Sequence, residues 1–413
     1  MTLRPLVFVV APGDDIYRGY CLRQVADVYD VAVITTGPLT WEQPHVVDHE
    51  IVKDFEDEVG LFAAGEAVAA RHPVAGVVTW AEGHLTAVAR LAEHLGLATT
   101  RVESVRTCRD KAASRAAFAA HGVPSAQSTA TNSLGEALAA ARAIGYPVVV
   151  KPASVGGSIG VIKAETQHDL AAAYAFATRG VQLHGGDNTV VLVEEYLSGE
   201  EVSVECVTFQ GVTTAVAVTR KELGPEPLFE EIGHTLTAGD PLLATVAPIA
   251  AAAVEATGTV NGIQHVELRL TPSGPRVIEV NGRIGGDWIG WAVWRATGLS
   301  LSRIAADLAA GRAPDVAPTR QQAVAIKVLH APASGTLAQR AIPGGFAETA
   351  GWVHGPAWLM EEGDKILLPP EGDLDSARVG LSATHADTLE LAVARRTVTA
   401  NHIALTVTAD GQQ

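Results

Sequence analysis

The segment HVELRLTPSGPRVIEVNGR, residues 265–283, holds acidic side chains at a spacing that could bind a divalent cation. Apolar and polar residues alternate on both sides of a connection rich in Pro and Gly, which predicts a β-hairpin. If Leu270 pairs with Arg276 across a five-residue connection, Glu267 lies opposite Glu279. Like charges directly opposite each other are destabilising, but oxygen ligands of this kind are those that Mg²⁺ prefers.

The same register places two more polar side chains on that face. His265 lies opposite Asn281, which offers a neutral oxygen donor. His265 is either a hydrogen-bonding group on the side of a ligand or a polar filler beside Asn281. One face of the hairpin is therefore predicted to be apolar and the other to be rich in ligand atoms.

A glycine-rich segment follows Lys151, which ends an apolar strand, and reads PASVGGSIG. Glycines let backbone N–H groups approach phosphate oxygens closely, and serine hydroxyls add donors. The segment lacks the G-K-[ST] ending of a P-loop and leads to a strand rather than to a helix, which argues against a Walker-type NTPase and a Rossmann fingerprint. A flexible hairpin without a ligand remains the alternative.

Two further motifs are weak when taken singly. Lys111, in the triplet Arg109-Asp110-Lys111, fits a solvated helix face, and EEYLSGEE at residues 194–201 fits an acidic surface turn.

Composition narrows the class of protein. The chain has 413 residues, of which 47% are hydrophobic, and this is enough for two or three domains. Thirty basic residues face 46 acidic ones, so the net charge of −16 argues against nucleic acid and anionic membranes as partners. The three cysteines are scattered, and the apolar run Leu6–Ala11 is too short for a signal peptide or a membrane span. A cytoplasmic protein is expected.

Taken in order, these motifs resemble the ATP-grasp superfamily: R-D-K, V-V-K-P with a G-G-S loop, E-E-Y-L-x-G-x-E, H-V-E, and E-V-N-x-R, over roughly residues 105–290. Strands alternate with helices before them, which predicts an open parallel α/β domain. The resemblance adds an ATP-grasp fold of two α+β subdomains that grip ATP, with a β-rich C-terminal unit after it. The expected units are an N-terminal α/β domain at 1–100, a small lid subdomain with the glycine loop at 101–185, a large subdomain with metal and catalytic residues at 186–315, and the β-rich unit at 316–413.

The resemblance implies ATP as cofactor and a set of residues around it. These are Lys111 and Lys151 at the phosphates, Ser154, Gly156, Gly157 and Ser158 in the loop over them, Glu194, Glu195, Tyr196 and Leu197 along the adenine, Glu201 at the ribose, and His265 beside the ligand.

The resemblance also assigns the metal. Glu267, Glu279 and Asn281 are expected to bind Mg²⁺, as two ions, with Mn²⁺ as an alternative. Arg283 is expected to hold the transferring phosphoryl group or the substrate carboxylate. In this superfamily ATP phosphorylates a carboxylate, and an amine attacks the acyl phosphate to release ADP and phosphate. Small-molecule substrates and a homodimer are the partners that it implies.

The segment LFEEIGHTLTA, residues 228–238, is similar to the F-x-E-x-x-H stretch of the dipeptide-forming L-amino-acid α-ligases. That branch places Glu231 and His234 in the amino-acid pocket. Either could take the proton of the attacking amine, whose unperturbed pKa is about 7.7–8.0. Asp287, before Trp288, could attract a cationic substrate group.

Two other functions stay open. A ligase for a non-proteinogenic carboxylate or amine would differ only in the shape of its pocket. A non-catalytic nucleotide-binding subunit is expected to lose at least one of the residues that bind the metal or the phosphoryl group. All four are present: Glu267, Glu279, Asn281 and Arg283.

Overall fold

The computed structural model describes residues 4–98, 100–185, 188–344, 346, 350–369, 371–372 and 375–409. Its first part is a parallel sheet whose Val-rich strands are buried, as expected when helices cover both faces. The elements are β1 (Leu6–Val10), α1 (Asp15–Ala26), β2 (Asp30–Thr35), β3 (Asp48–Ile51), α2 (Glu58–Arg71), β4 (Val74–Val78) and α3 (Leu85–His94). The strand order is β3-β2-β1-β4, so the predicted open parallel α/β domain is confirmed.

Two short helices connect this domain to the next one. They are α4 (Val102–Arg109) and α5 (Lys111–His121). Asp110 is extended between them, and its carboxylate accepts from the amides of Ala112 and Ala113, which caps α5. The cap makes Lys111 the first residue of α5.

A small antiparallel sheet follows. Its elements are β5 (Ser128–Thr131), α6 (Leu134–Ile144), β6 (Val148–Pro152), β7 (Ile162–Ala164), α7 (Leu170–His184) and β8 (Val191–Glu195). The strand order is β5-β8-β6-β7, and α6 and α7 pack their alanines on the sheet. The glycine loop, residues 154–160, connects β6 to β7.

An eight-stranded sheet forms the largest layer. Its elements, with their helices, are β9 (Glu200–Phe209), β10 (Val212–Leu223), β11 (Glu231–Thr237), α8 (Leu243–Ala256), β12 (Gly262–Thr271), β13 (Gly274–Asn281), α9 (Ile289–Thr297), α10 (Leu301–Ala309), β14 (Ala323–His330), β15 (Gly335–Ala341), β16 (Val353–Trp358), β17 (Lys365–Ile366), β18 (Arg378–Ala386), α11 (Leu389–His402) and β19 (Ala404–Thr408). The sheet order is β13-β12-β9-β10-β11-β14-β18-β16, and β17-β15-β19 form a separate sheet.

The large sheet runs across the expected boundary at residue 316. Strand β11 pairs with β14, and β14 pairs with β18. The C-terminal part is β-rich as expected, but three of its strands complete the sheet that carries the candidate site.

One apolar core connects the N-terminal parallel sheet to the large sheet. Val9 of β1, Leu22 of α1, Ile304 of α10 and Val328 of β14 all belong to it. Among the described residues, no helix combines the length and the apolar character needed to cross a membrane.

Candidate active site

The polar face of the hairpin formed by β12 and β13 has the predicted pairs. Glu267 lies opposite Glu279, and His265 lies opposite Asn281. All four side chains line one cavity, whereas Val266 on the other face packs in the core.

The rest of the hairpin register differs from the predicted one. Leu270 pairs with Pro275 and not with Arg276, which shortens the connection to a two-residue turn. A β-bulge at Ile278 restores the register of the glutamates, because it adds one residue to β13. As a result Val277 packs in the core and Ile278 lines the cavity.

The cavity has a volume of about 410 Å³ and takes its walls from the N-terminal domain, the small sheet and the large sheet. Tyr17 comes from α1, Lys151 from the small sheet, Glu267 from the large sheet and Arg378 from the start of β18. The predicted site residues that line it are Lys111, Lys151, Gly156, Gly157, Ser158, Glu194, Glu195, Tyr196, Leu197, Glu201, Glu231, His265, Glu267, Glu279, Asn281 and Arg283. Ser154 and His234 are not among the lining residues.

Lys111 connects the glycine loop to the hairpin. Its Nζ lies 3.1 Å from Oε1 of Glu279 and donates to the backbone oxygen of Val155 at 2.9 Å. The side chain is buried, so its position is fixed by these two contacts.

Glu194 is held by two cations. Its carboxylate accepts two hydrogen bonds from Arg115, at 2.8 and 3.0 Å, and lies 2.7 Å from Nζ of Lys151. Burial by itself raises the pKa of Glu194, but the charges of Arg115 and Lys151 outweigh it and lower the pKa to about 2. Burial also lowers the pKa of Lys151, and Glu194 offsets part of that effect.

The glycine loop has backbone conformations that glycine favours. Gly157 and Gly160 have φ of +68° and +71°, and Ser158 has φ of +58°. Ser154 is bonded to the backbone of Asn188, as donor at 3.3 Å and as acceptor at 3.2 Å. These bonds engage its hydroxyl outside the cavity wall, so Ser154 is not placed to face a phosphate there.

Lys221 of β10 gathers three of the acidic side chains. Its Nζ lies 2.9 Å from Glu231, 3.0 Å from Glu267 and 3.3 Å from Glu201. Burial lowers the pKa of Lys221, but the three carboxylates raise it well above its ordinary value. The repulsion expected between Glu267 and Glu279 is therefore already compensated inside the protein, by Lys221 and Lys111.

His265 adds a second positive group beside Glu267. Its Nδ1 lies 2.6 Å from Oε1 of the fully buried Glu205, and its Nε2 lies 3.2 Å from Oε1 of Glu267. Burial lowers the pKa of His265, but Glu205 and Glu267 outweigh it and raise the pKa to about 9. His265 is thus a charged partner of Glu267 at neutral pH.

The hairpin offers the kind of ligands that magnesium needs. Glu267, Glu279 and Asn281 provide carboxylate and amide oxygens along one cavity wall. The ion pairs with Lys221 and Lys111 use Oε1 of each glutamate. This donor set fits Mg²⁺, which binds through one or two carboxylates together with phosphate oxygens.

Glu231 and His234 lie at the other end of the acidic group, on β11. His234 is buried, and its Nε2 lies 3.0 Å from Asp287 and 3.4 Å from Glu231. Asp287 also accepts from Tyr17 at 3.2 Å and is paired with Arg378. The guanidinium group that Asp287 attracts is therefore supplied by the chain itself.

The remaining predicted residues line the cavity with their own partners. Glu201 lies 2.9 Å from Arg269, and Glu195 lies 2.7 Å from Arg276. The hydroxyl of Tyr196 donates to the carboxylate of Glu226 at 2.6 Å. Leu197 is buried beside them, and Arg283 is paired with Glu82 of the loop after β4.

Residues 144–291 match the family described as the ATP-grasp domain. The chain contains an ATP-grasp domain. The crystal structure of an L-amino acid ligase from Bacillus licheniformis has the same fold, with a TM-score of 0.81 at 21% identity over 99% of this chain and 100% of that one. The predicted fold class is confirmed.

The curated relatives match a smaller share of this chain. An uncharacterized protein, y4rH of Sinorhizobium fredii, is 28% identical over 64% of this chain. The chain spans only 55% of the length of that relative. The L-arginine-specific L-amino acid ligase of Bacillus subtilis is 21% identical over 71% of this chain and 72% of its own length.

Several residues around the ATP-grasp domain were not predicted from the sequence. Arg115, Lys221 and Arg378 neutralise the acidic side chains, and Glu205 orients His265. Arg115, Glu205 and Arg378 are far in sequence from the groups that they contact, whereas Lys221 is 10 residues from Glu231 but also reaches Glu267 on another strand. The sequence offered one signal, for Lys221. A lysine within an apolar strand such as β10 is seldom without a charged partner.

Proposed function

We propose that this protein is an ATP-dependent ligase that activates the carboxylate of one amino acid as an acyl phosphate and joins it to the amine of a second amino acid. ADP and phosphate are the other products. The observation that carries the proposal is that one cavity holds Lys111, Lys151 and the glycine loop together with the acidic hairpin and Glu231. The name of the Bacillus subtilis relative supports an amino acid as substrate.

The phosphate end of the cavity is positive and donor-rich. Lys111 and Lys151 would contact the ATP phosphates, under backbone N–H groups of Gly156 and Gly157 and the hydroxyl of Ser158. The adenine and ribose would lie along the predicted residues 194–197 and Glu201. Phosphoryl transfer depends mostly on such positioning and charge neutralisation.

Glu267, Glu279 and Asn281 would hold Mg²⁺, which when bound neutralises charge on the transferring phosphoryl group. Lys111 and Lys221 hold the two glutamates in place before nucleotide arrives. Arg283 would stabilise the oxyanion that forms when the amine attacks the acyl phosphate.

The attacking amine must lose a proton. Glu231 lines the cavity, whereas His234 lies behind it and is bonded to Asp287. We therefore assign proton acceptance to Glu231 and the positioning of Glu231 to His234. A homodimer and a cytoplasmic location remain proposals from the sequence.

A screen of phosphate release tests this function. Purified protein with ATP and Mg²⁺ is expected to release phosphate with particular pairs of amino acids, and mass spectrometry should find the condensed product. Glu279→Ala should abolish release, while Glu255→Ala, an exposed residue of α8, should not change it. The amino-acid proposal fails if no pair is active while another carboxylate or amine is.

A further inference from the structure

The acidic side chains of the cavity are almost all paired with a fixed cation. Within the described residues, an Arg or Lys nitrogen lies within 4.0 Å of every cavity-lining carboxylate except one. The paired carboxylates are those of Glu82, Glu194, Glu195, Glu201, Glu231, Glu267, Glu279 and Asp287. The exception is Glu230.

Glu230 lies beside a histidine instead of an arginine or a lysine. Nε2 of His330 lies 3.1 Å from Oε1 of Glu230, and both side chains line the cavity. Burial lowers the pKa of His330 to about 4, so the imidazole is neutral at neutral pH and supplies no charge to Glu230. The cavity therefore contains one carboxylate whose charge is not balanced by an adjacent cation.

The environment of Glu230 favours the binding of a positively charged ligand group. Burial raises the pKa of Glu230, and the more distant charges of Lys327 and Arg378 only partly oppose this effect. A buried carboxylate is stabilised in its charged form when an opposite charge comes within about 4–6 Å. A cationic ligand group would provide that charge.

Glu230 lies at the amino-acid end of the cavity. It is adjacent in sequence to Glu231, which shares Lys221 with Glu267. His330, at the end of β14, pairs with Arg378 at the start of β18. Glu230 immediately precedes β11, so it is close to the acidic group but outside the hairpin.

We propose that Glu230, beside His330, binds the α-ammonium group of the amino acid whose carboxylate is activated. This inference rests on the proposed function. The amine of the second substrate must be unprotonated when it attacks, so a permanent anionic partner would oppose the reaction there. The α-amino group of the carboxylate donor takes no part in bond formation and stays protonated throughout. A carboxylate that has no adjacent cation can pair with that ammonium group.

The test separates the donor from the acceptor by using hydroxylamine as the amine, so that hydroxamate formation reports the donor alone. The value of kcat/KM is measured for an amino acid that is active in the screen and for its des-amino analogue. Wild-type protein should prefer the amino acid. Glu230→Gln should lower kcat/KM for the amino acid by about 10- to 100-fold, the loss expected for a hydrogen bond to a charged group. The value for the des-amino acid should stay the same.

Matched variants complete the design. Glu222→Gln, whose carboxylate pairs with Arg396 outside the cavity, should keep the wild-type ratio. Glu230→Asp should restore part of the preference. If Glu230→Gln keeps the ratio, or lowers both substrates equally, the inference is wrong. It is also wrong if only the preference for lysine over norleucine collapses, since the cation would then be that of a side chain. If wild-type protein forms no hydroxamate from any amino acid, it is the proposed function that fails.

Discussion

Glu194 contributes both to the stability of the folded protein and to the candidate active site. Its carboxylate is buried, yet it stays ionised because Arg115 and Lys151 both contact it. Removal of one partner of a buried ion pair typically costs about 3–5 kcal/mol, because the remaining charges are left uncompensated. The phosphate-binding lysine is therefore fixed by a group that also contributes to folding.

This pairing predicts a pH-dependent contribution to stability. The pKa of Glu194 is lowered to about 2 in the folded protein, below its ordinary value near 4.5. Its contribution, roughly 3 kcal/mol, is present above that ordinary value and is lost as the pH falls toward the folded value. Urea unfolding of wild-type protein and Glu194→Gln should show a large difference at pH 6 and a smaller one at pH 3. An equal difference at both pH values would contradict the assignment.

The identity of the charged residues was more predictable than their partners. The motifs placed Lys111, Lys151, Glu267 and Glu279 in one cavity, and the structure has them there. The compensation of Glu267 was not predictable, because Lys221 reaches it from β10. Contacts between strands that are distant in sequence leave no periodic pattern for a single sequence to show.

At the scale of elements, the hairpin shows what alternation can and cannot predict. The alternation of apolar and polar residues predicted both strands and the two residue pairs on the polar face. It could not give the bulge at Ile278, because an inserted residue interrupts the period of two without a sequence signal of its own. The polar edge strand β3 has no such alternation, since its DHEI residues are half-buried on one face and exposed on the other and three of the four are polar.

The glycine loop depends on close packing as well as on flexibility. A Cβ at Gly160 would lie 2.9 Å from Cγ of Pro152 and 3.2 Å from Cα of Ala177, at a φ of +71°. Gly160→Ala should therefore destabilise the protein by about 1–3 kcal/mol and weaken ATP binding, because the loop must shift. Urea unfolding and nucleotide titration measure both effects.

A matched control for this substitution is available in α6. A Cβ at Gly135 would meet nothing closer than Oγ of Ser133 at 4.0 Å. Gly135→Ala should leave stability unchanged or raise it, since alanine favours helix. Equal effects of the two substitutions would show that the packing at Gly160 is not what constrains the loop.

At the scale of the whole molecule, the site is built by residues from distant parts of the chain. The resemblance covers roughly residues 105–290, but Tyr17, His330 and Arg378 also line the cavity. These walls could not be predicted, because they lie outside the recurrent motifs and meet the site only through the shared core and sheet. One of them, His330, lies beside Glu230, where we place substrate recognition.

The most direct test of the account follows an oxygen atom through the reaction. An active amino-acid donor is labelled with ¹⁸O in its carboxylate and turned over with ATP, Mg²⁺ and the second substrate. If the carboxylate attacks the terminal phosphorus and the amine then displaces phosphate, each released phosphate carries one ¹⁸O atom beside ADP. Unlabelled phosphate, or label found in AMP with release of pyrophosphate, would contradict the acyl-phosphate ligase that we propose.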